Sequence, residues 1–449
     1  MRASGRERPQ FTPPLTSIEI CAGAGGQAVG LHNAGFDHHA LVEWDPHAVQ
    51  TLKANVAGWP GWNAKRADNL RPMDVKEFLK SEEYKNLGLK REDLDLLAGG
   101  VPCPPFSLAG KRLGRDDERD LFPAALDIVD ALRPKAVMIE NVRGILEPPE
   151  VFIDYRAEIL ERLKEMGYSV PVLKKNWSPA RQDIAMRNVW RRLNARDFGV
   201  PQLRPRAILV AFREDILPGD GSEFSWPVRL DEDEAIVAGA LEETMRRRCG
   251  DFWAKSKWGK PAEPGERTGK DVFDDWLEKA EKAAAAGRGV APTLVGGSKK
   301  HGGADLGPTR AKRAWEALGV DAMGVANDQS ECDPERDLFR AAGPMLTVEQ
   351  AAIIQGFPQG WNFQGRKTAR YRQVGNAFPP PVAEAVGRAI AAVLRPERRG
   401  DLLKSYVLDS EQASPRPEVA GQIEFPLSEQ GKPTASRENG VSNLLGTGT

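Results

Sequence analysis

Between Ser17 and Phe212 the chain repeats one unit, a short apolar run, a glycine, proline or ionisable residue, and then a stretch of helical character. The runs are Ser17-Ile18-Glu19-Ile20-Cys21, Ala40-Leu41-Val42, Leu94-Asp95-Leu96-Leu97-Ala98, Ala136-Val137-Met138-Ile139 and Ala207-Ile208-Leu209-Val210-Ala211-Phe212. Each is short and bounded by breakers, so each reads as a buried strand. Leu121 to Leu132 and Val151 to Met166 read as helices between them. That alternation predicts an α/β fold, a doubly wound open sheet. Ligands bind such sheets at the carboxyl edge of the strands. The residues that end each run are therefore the candidates for chemistry.

The first run enters Ala22-Gly23-Ala24-Gly25-Gly26-Gln27-Ala28-Val29-Gly30, a glycine-rich turn opening a helix. Glycine allows a tight turn and close approach of a ligand to the backbone. The pattern fits a dinucleotide fingerprint and a methyl-donor site equally. The second run ends in Glu43-Trp44-Asp45, which puts a carboxylate where ribose hydroxyls can donate and an indole where an adenine can stack. Asn63 to Ala67 reads as a further strand, ending in Asp68 as a partner for the adenine edge or as a turn aspartate. Leu94 to Ala98 leads into Gly99-Gly100-Val101-Pro102-Cys103-Pro104-Pro105-Phe106-Ser107. Pro102 fixes its own φ and Pro104 favours an extended Cys103, so the thiol is held in one orientation beyond the strand. Leu108 to Asp120 has the composition of a mobile loop able to close over a substrate.

Glu140-Asn141-Val142 ends the next run, and a carboxyl buried there would hold its proton towards neutrality. In Gln202-Leu203-Arg204-Pro205-Arg206 an extended backbone would place Gln202, Arg204 and Arg206 on one face. One amide and two guanidiniums so arranged suit a planar hydrogen-bonding group or a phosphate, with a structural salt-bridge ladder as the alternative.

Composition limits the partners. The 449 residues carry a net charge of −1, so a polyanion must meet a local basic surface. Cys21, Cys103, Cys249 and Cys332 are scattered without a CxxC pair, against structural zinc or a disulfide framework. No signal-peptide core and no membrane-length apolar run is evident, so the expected location is cytoplasmic.

These motifs, in this order from Ser17 to Leu394, resemble the DNA (cytosine-5) methyltransferase family. The glycine turn is similar to its cofactor motif, Glu43-Trp44 to its adenosine clasp, Pro102-Cys103 to its nucleophile motif, Glu140-Asn141-Val142 to its E-N-V motif and Gln202 to Arg206 to its Q-x-R-x-R motif. Gln355-Gly356-Phe357-Pro358 and Tyr371-Arg372-Gln373-Val374-Gly375-Asn376-Ala377 resemble its last two. The departures are Cys21 for phenylalanine, Glu19 for aspartate, Pro104 for glutamine and Phe378 for valine.

The resemblance implies a Rossmann-like S-adenosylmethionine-dependent methyltransferase fold with an inserted, smaller target-recognition domain. It implies Cys103 as nucleophile, Glu140 as proton donor, and Arg204 and Arg206 as holders of the base. The cofactor would lie against Cys21, Ala22, Gly23, Gly25, Gly26, Glu43, Trp44, Asp68, Pro102, Asn376 and Ala377, with S-adenosylhomocysteine as product and no metal. Ser107, Asn141, Gln202, Lys299, Lys300, His301 and Arg310 are the candidate contacts to double-stranded DNA, the basic ones having a solvated loop as the alternative.

Expected boundaries are a flexible N-terminus over 1–16, a catalytic domain over 17–213, recognition over 214–366, a return to the catalytic domain over 367–397 and a disordered tail over 398–449. The expected protein is a monomer acting as the modification arm of a restriction or defence system, with a nuclease or defence proteins as possible partners and no membrane. A tRNA cytosine-5 methyltransferase of the same fold and a catalytically silent DNA-binding homologue are the alternatives. An NAD-binding oxidoreductase would explain the first glycines and leave Cys103 without a purpose.

Overall fold

A computed structural model describes residues 6–102, 120–296 and 306–411. A seven-stranded sheet is built from β1 (Leu15–Ile20), β2 (Phe36–Val42), β3 (Leu96–Gly100), β4 (Ala136–Val142), β5 (Tyr168–Ser169), β6 (Trp190–Asn194) and β7 (Pro205–Arg213). The order is β2-β1-β3-β4-β7-β5, with β6 also on β7. The first four strands pair in parallel, and β7 runs antiparallel to β4, β5 and β6.

Both faces are covered, as near-continuous apolar strands require. Ala136, Met138, Ile208 and Val210 point to one side, where helices Gly26–Asn33 and Pro380–Leu394 pack. Val137, Ile139, Leu209 and Ala211 point to the other, under helices Phe122–Leu132 and Pro149–Glu165. The period of two residues thus divides one apolar run between two cores.

Several expectations change. Asn63 to Ala67 is not a strand: Asn63 accepts from the Arg66 amide and caps the helix Ala64–Asp68, whose Ala-Lys-Arg-Ala run favours helix. The N-terminal residues expected to be flexible are docked from Arg6 onward, with Phe11 in the core and Arg6 paired with Glu384 at 3.4 Å. The expected tail begins with the helix Arg399–Leu403 and β9 (Tyr406–Leu408), which pairs antiparallel with β8 (Pro227–Leu230). Leu402, Leu403 and Tyr406 bury against the sheet's core, which gives this segment a reason to fold.

The second half is not irregular. Phe224, Trp226 and Leu230 belong to the sheet's core, so the chain leaves it later than residue 214. Helices Val237–Gly250, Gly269–Ala285 and Thr309–Ala317 then gather Leu241, Met245, Trp276 and Trp315 into a separate core. Tyr371, Val374 and Ala377 pack in that same core, across the boundary expected at 366. No helix among the described residues is long and apolar enough to cross a membrane.

Candidate active site

Glu140 stands near the carboxyl end of β4, in register with Gly100 of β3. A Cβ at position 100 would lie 3.3 Å from the Glu140 carboxylate, so glycine keeps the space beside it open. Arg206, at the start of β7, donates through Nε to Glu140 Oε1 at 2.8 Å, and the two side chains keep only 12% and 13% of their exposure. Burial pushes the Glu140 carboxyl above its ordinary range, against the pull of Arg206 and then Arg204. A carboxyl able to hold a proton therefore meets a fixed cation at one strand edge.

The next residue faces the other way. Asn141 is buried, donates to the Val101 carbonyl at 2.7 Å and accepts from the Val142 amide at 2.8 Å. Both ends of its amide are used, so the expectation of a DNA contact gives way to a backbone tie on the turn before Cys103. Leu121 donates to the Pro102 carbonyl at 3.4 Å from the far side. Cys103, Ser107, Lys299, Lys300 and His301 lie outside the described residues.

Gln202 and Arg204 do not share a face with Arg206, because the strand begins only at Pro205. Gln202 donates to Gln355 at 2.7 Å and to the Ile354 carbonyl at 3.2 Å, and accepts from the Leu294 amide at 2.9 Å. Arg204 donates to the carbonyls of Leu294 at 2.6 Å, Gly375 at 2.7 Å and Ala377 at 2.9 Å. Its guanidinium is wholly buried, and burial with the neighbouring Arg206 pulls its pKa well below the ordinary arginine value. Gln202 and Arg204 are ties between sheet, insert and returning chain, in place of the substrate contacts expected of them.

At the other end of the edge, Glu43 accepts from the amides of Gly23 at 2.7 Å, Trp44 at 3.0 Å and Asp45 at 2.8 Å. Burial raises its pKa while these donors oppose the rise. Glu43 thus fixes the loop after β1 to the loop after β2. Trp44 remains 76% exposed, with its indole available to a planar ligand. Gly23 has φ +55° and nothing within 4 Å of where a Cβ would stand, so its backbone is open to a ligand.

Gly26 serves packing instead, since a Cβ there would fall 2.2 Å from the Phe378 carbonyl and 3.2 Å from Ala377. Cys21 also has positive φ, +51°, and burial with Glu43 nearby pushes its thiol far up, which disfavours nucleophilic use. Ala22 is buried within the core beneath Trp62 and Leu70. Asp68 is exposed at the end of its helix, and its carbonyl, not its carboxylate, accepts from Lys53 at 2.9 Å. Asn376 is exposed beside Gly296, and Arg310 is exposed in the first turn of its helix.

The open backbone at Gly23, the Glu43 carboxylate and the exposed Trp44 ring thus lie together on the loops after β1 and β2, and the returning Ala377 packs beside Gly26 of the same turn. The structure adds Trp361 to this set. It donates to the Ala24 carbonyl at 3.0 Å and would meet a Cβ at Gly25 at 2.9 Å, so it buttresses the turn from the insert's side. Nothing local in the sequence marks that role.

The sequence model of the C-5 cytosine-specific DNA methylases matches residues 15–392, which spans both the sheet edge and the insert. The chain belongs to that family. It is a DNA cytosine-5 methyltransferase, built on the α/β sheet of the S-adenosylmethionine-dependent methyltransferases. It is 46% identical over 387 residues to the Type II methyltransferase M.NaeI of Lentzea aerocolonigenes, covering 86% of this chain and 77% of that one. It is 40% identical to the Type II methyltransferase M.NgoMIV of Neisseria gonorrhoeae, covering 85% of this chain and 99% of that one. The Type II methyltransferase M.Eco47II of Escherichia coli is 29% identical, with 84% of this chain and 79% of that one covered.

Proposed function

We propose that this methyltransferase modifies C5 of one cytosine within a specific duplex sequence, with Cys103 as the covalent nucleophile and the cytosine turned out of the helix. The observation that carries the reading is the Glu140–Arg206 pair, next to an Asn141 that anchors the turn leading to Cys103.

Cytosine C5 is too poor a nucleophile to take a methyl group unaided. Addition of the Cys103 thiolate to C6 forms a C–S bond and moves the ring's electron pair towards C5. Glu140 gives its proton to N3 as charge develops, which suits a carboxyl whose burial favours the protonated form. Arg206, held by Glu140, offsets charge at O2. S-adenosylmethionine, when bound, supplies an electrophilic methyl group. Glu43, Trp44 and the Gly23 backbone hold it at the sheet edge, with Asn376 and Ala377 closing the pocket. As C5 takes the methyl group, that group's bond to the donor sulfur breaks and S-adenosylhomocysteine is left. C5 then loses its proton to a base, N3 returns its proton to Glu140, the C5–C6 double bond re-forms, and the thiolate leaves. A base stacked within a duplex cannot reach the strand edge, so the target must flip. Arg310, Lys299, Lys300 and His301 serve in this reading as contacts from the insert.

The relatives' designation as Type II methyltransferases supports a role as the modification arm of a restriction or defence system. Conversion-based methylation sequencing of DNA from cells expressing the wild type and Cys103→Ala tests the reading. Methylated cytosines confined to one short motif, and lost in the variant, are expected. Unmethylated DNA from soluble wild-type protein, with methyl transfer to tRNA instead, would overturn it.

A further inference from the structure

Between β5 and β6 the chain makes an excursion whose charge the reaction leaves unexplained. From Val172 into the first residues of β6 it carries six basic residues, Lys174, Lys175, Arg181, Arg187, Arg191 and Arg192, against one carboxylate, Asp183, in a chain of net charge −1. Asp183 is already engaged, by the buried Arg156 at 2.8 Å and by Arg187 at 3.3 Å. Arg191 is paired with Asp409, and Arg192 with Glu147 at 3.0 Å. Lys174, Lys175 and Arg181 are exposed and have no ion pair among the described residues. Trp177 stands between them, with the Arg181 guanidinium 4.5 Å and the Lys174 ammonium 5.9 Å from its ring. Unneutralised like charges crowded on one surface repel one another, and a polyanion relieves that repulsion.

The fold places this surface beside the catalytic edge. β5 runs antiparallel to β7, so the chain leaves Ser169 heading towards the end of the sheet that carries Arg206 and Glu140. The helix Pro179–Met186 is then fixed to the helix Pro149–Glu165 through Asp183 and Arg156. One residue earlier, the Tyr155 hydroxyl donates to Asp120 at 2.7 Å, and Leu121 donates to the Pro102 carbonyl. An ion pair and two hydrogen bonds therefore connect the basic excursion to the turn that presents the nucleophile.

We propose that Lys174, Lys175 and Arg181 form a shelf that binds the phosphate backbone of duplex DNA beyond the target cytosine, on the side of the sheet edge where Asp120 and Pro102 are tied to the helix Pro149–Glu165. The shelf rests on the reading that duplex DNA is the substrate. It carries no base specificity, since phosphate contacts fix register and orientation. The cation-bearing Trp177 ring holds Arg181 and Lys174 outward as a unit.

The test measures duplex affinity against salt concentration for the wild type and for Lys174→Ala/Lys175→Ala/Arg181→Ala, on a short duplex spanning only the target and on a longer one. A second variant, Lys80→Ala/Lys85→Ala/Lys90→Ala, removes three exposed lysines from a different surface, and thermal unfolding of each variant checks its fold. On the longer duplex the slope of log K against log salt should fall by about 0.9 for each phosphate no longer neutralised, so by about 2 to 3 in the shelf variant. The short duplex and the second variant should show little change. An unaltered slope in a folded shelf variant, or an equal fall in the second variant, overturns the shelf, whatever else binds that surface. A wild type that neither binds duplex DNA nor methylates it defeats the substrate reading instead.

Discussion

Arg204→Met separates the tie that the structure shows from the base-holding role that the sequence suggests. The wild-type guanidinium spans three carbonyls on two segments far apart in sequence. Ala377 keeps a donor in the variant, because Gln355 also donates to its carbonyl. The carbonyls of Leu294 and Gly375 lose theirs. Two buried acceptors left unpaired cost about 1–3 kcal/mol each, and removal of a buried charge gives part of that back. The expected net loss is about 3 kcal/mol. Urea unfolding followed by tryptophan emission reads it, and amide exchange should rise around Leu294 and at the end of the helix Lys367–Asn376. Arg204→Lys should recover only part of the loss, since one ammonium cannot reach carbonyls placed for a planar fork. A residue that only holds the substrate base would leave stability alone and depress turnover. Stability within about 0.5 kcal/mol of wild type, with activity abolished, would refute the tie.

Two further outcomes follow from the cofactor turn. Glu19 is buried on β1, just before that turn, and burial holds its carboxyl well above the ordinary range, against the weaker opposing pull of the Ala28 amide. The native state therefore keeps a proton that the unfolded chain loses near pH 4.3, so Glu19's contribution is full below about that pH and declines as pH rises towards its native pKa. Glu19→Gln should flatten the fall in stability between mildly acidic and neutral pH by up to about 1.4 kcal/mol per pH unit, and an unchanged profile in urea titrations would contradict it. Gly23→Ala should fold with a penalty of about 1–2 kcal/mol from its positive φ, yet lose at least about tenfold in S-adenosylmethionine affinity by calorimetry. Wild-type affinity in that variant would show that the ligand does not approach there.

β1, β2, β3, β4 and β7 are legible because each announces itself twice, by an apolar run and by the residue that ends it, whereas the two-residue β5 and the mixed Trp-Arg-Arg-Leu-Asn of β6 offer no such run. Glu140 and Asn141 show how far that reasoning reaches. The period of two residues determines that they face opposite ways, but the sequence alone does not say which side is the cleft. The row from Gln202 to Arg206 misleads because it invites an extended backbone before Pro205, where pairing with the chain around Ala291 takes over from the strand. Trp276 and Trp315 stand in a charged region of the sequence, and the helical faces that bury them become visible only once three helices are assembled. β9 leaves no trace in the sequence because its partner, β8, lies far back along the chain and offers no local signal. Trp361 is hidden for the same reason. Contacts that depend on long-range closure leave no periodicity to read.

The seam at Gln202 and Arg204 gives those distant contacts a common purpose. Ala377, whose carbonyl Arg204 and Gln355 share, packs with its Cβ 3.2 Å from where a Cβ on Gly26 would stand, at the opening of the cofactor turn. Leu294, the second acceptor of Arg204, belongs to the insert and donates its amide to Gln202. Arg206, two residues beyond, holds the carboxyl proposed to protonate the base. Cofactor turn, insert and proton donor are thus referenced to five consecutive residues of one chain segment. Separating the lobes would break several buried, charge-assisted hydrogen bonds at once, each worth about 1.5–3 kcal/mol. A family pattern of one amide and two guanidiniums at alternate positions is therefore explained here by two different duties. The first two side chains tie sheet, insert and returning chain together, and only the third pairs with Glu140.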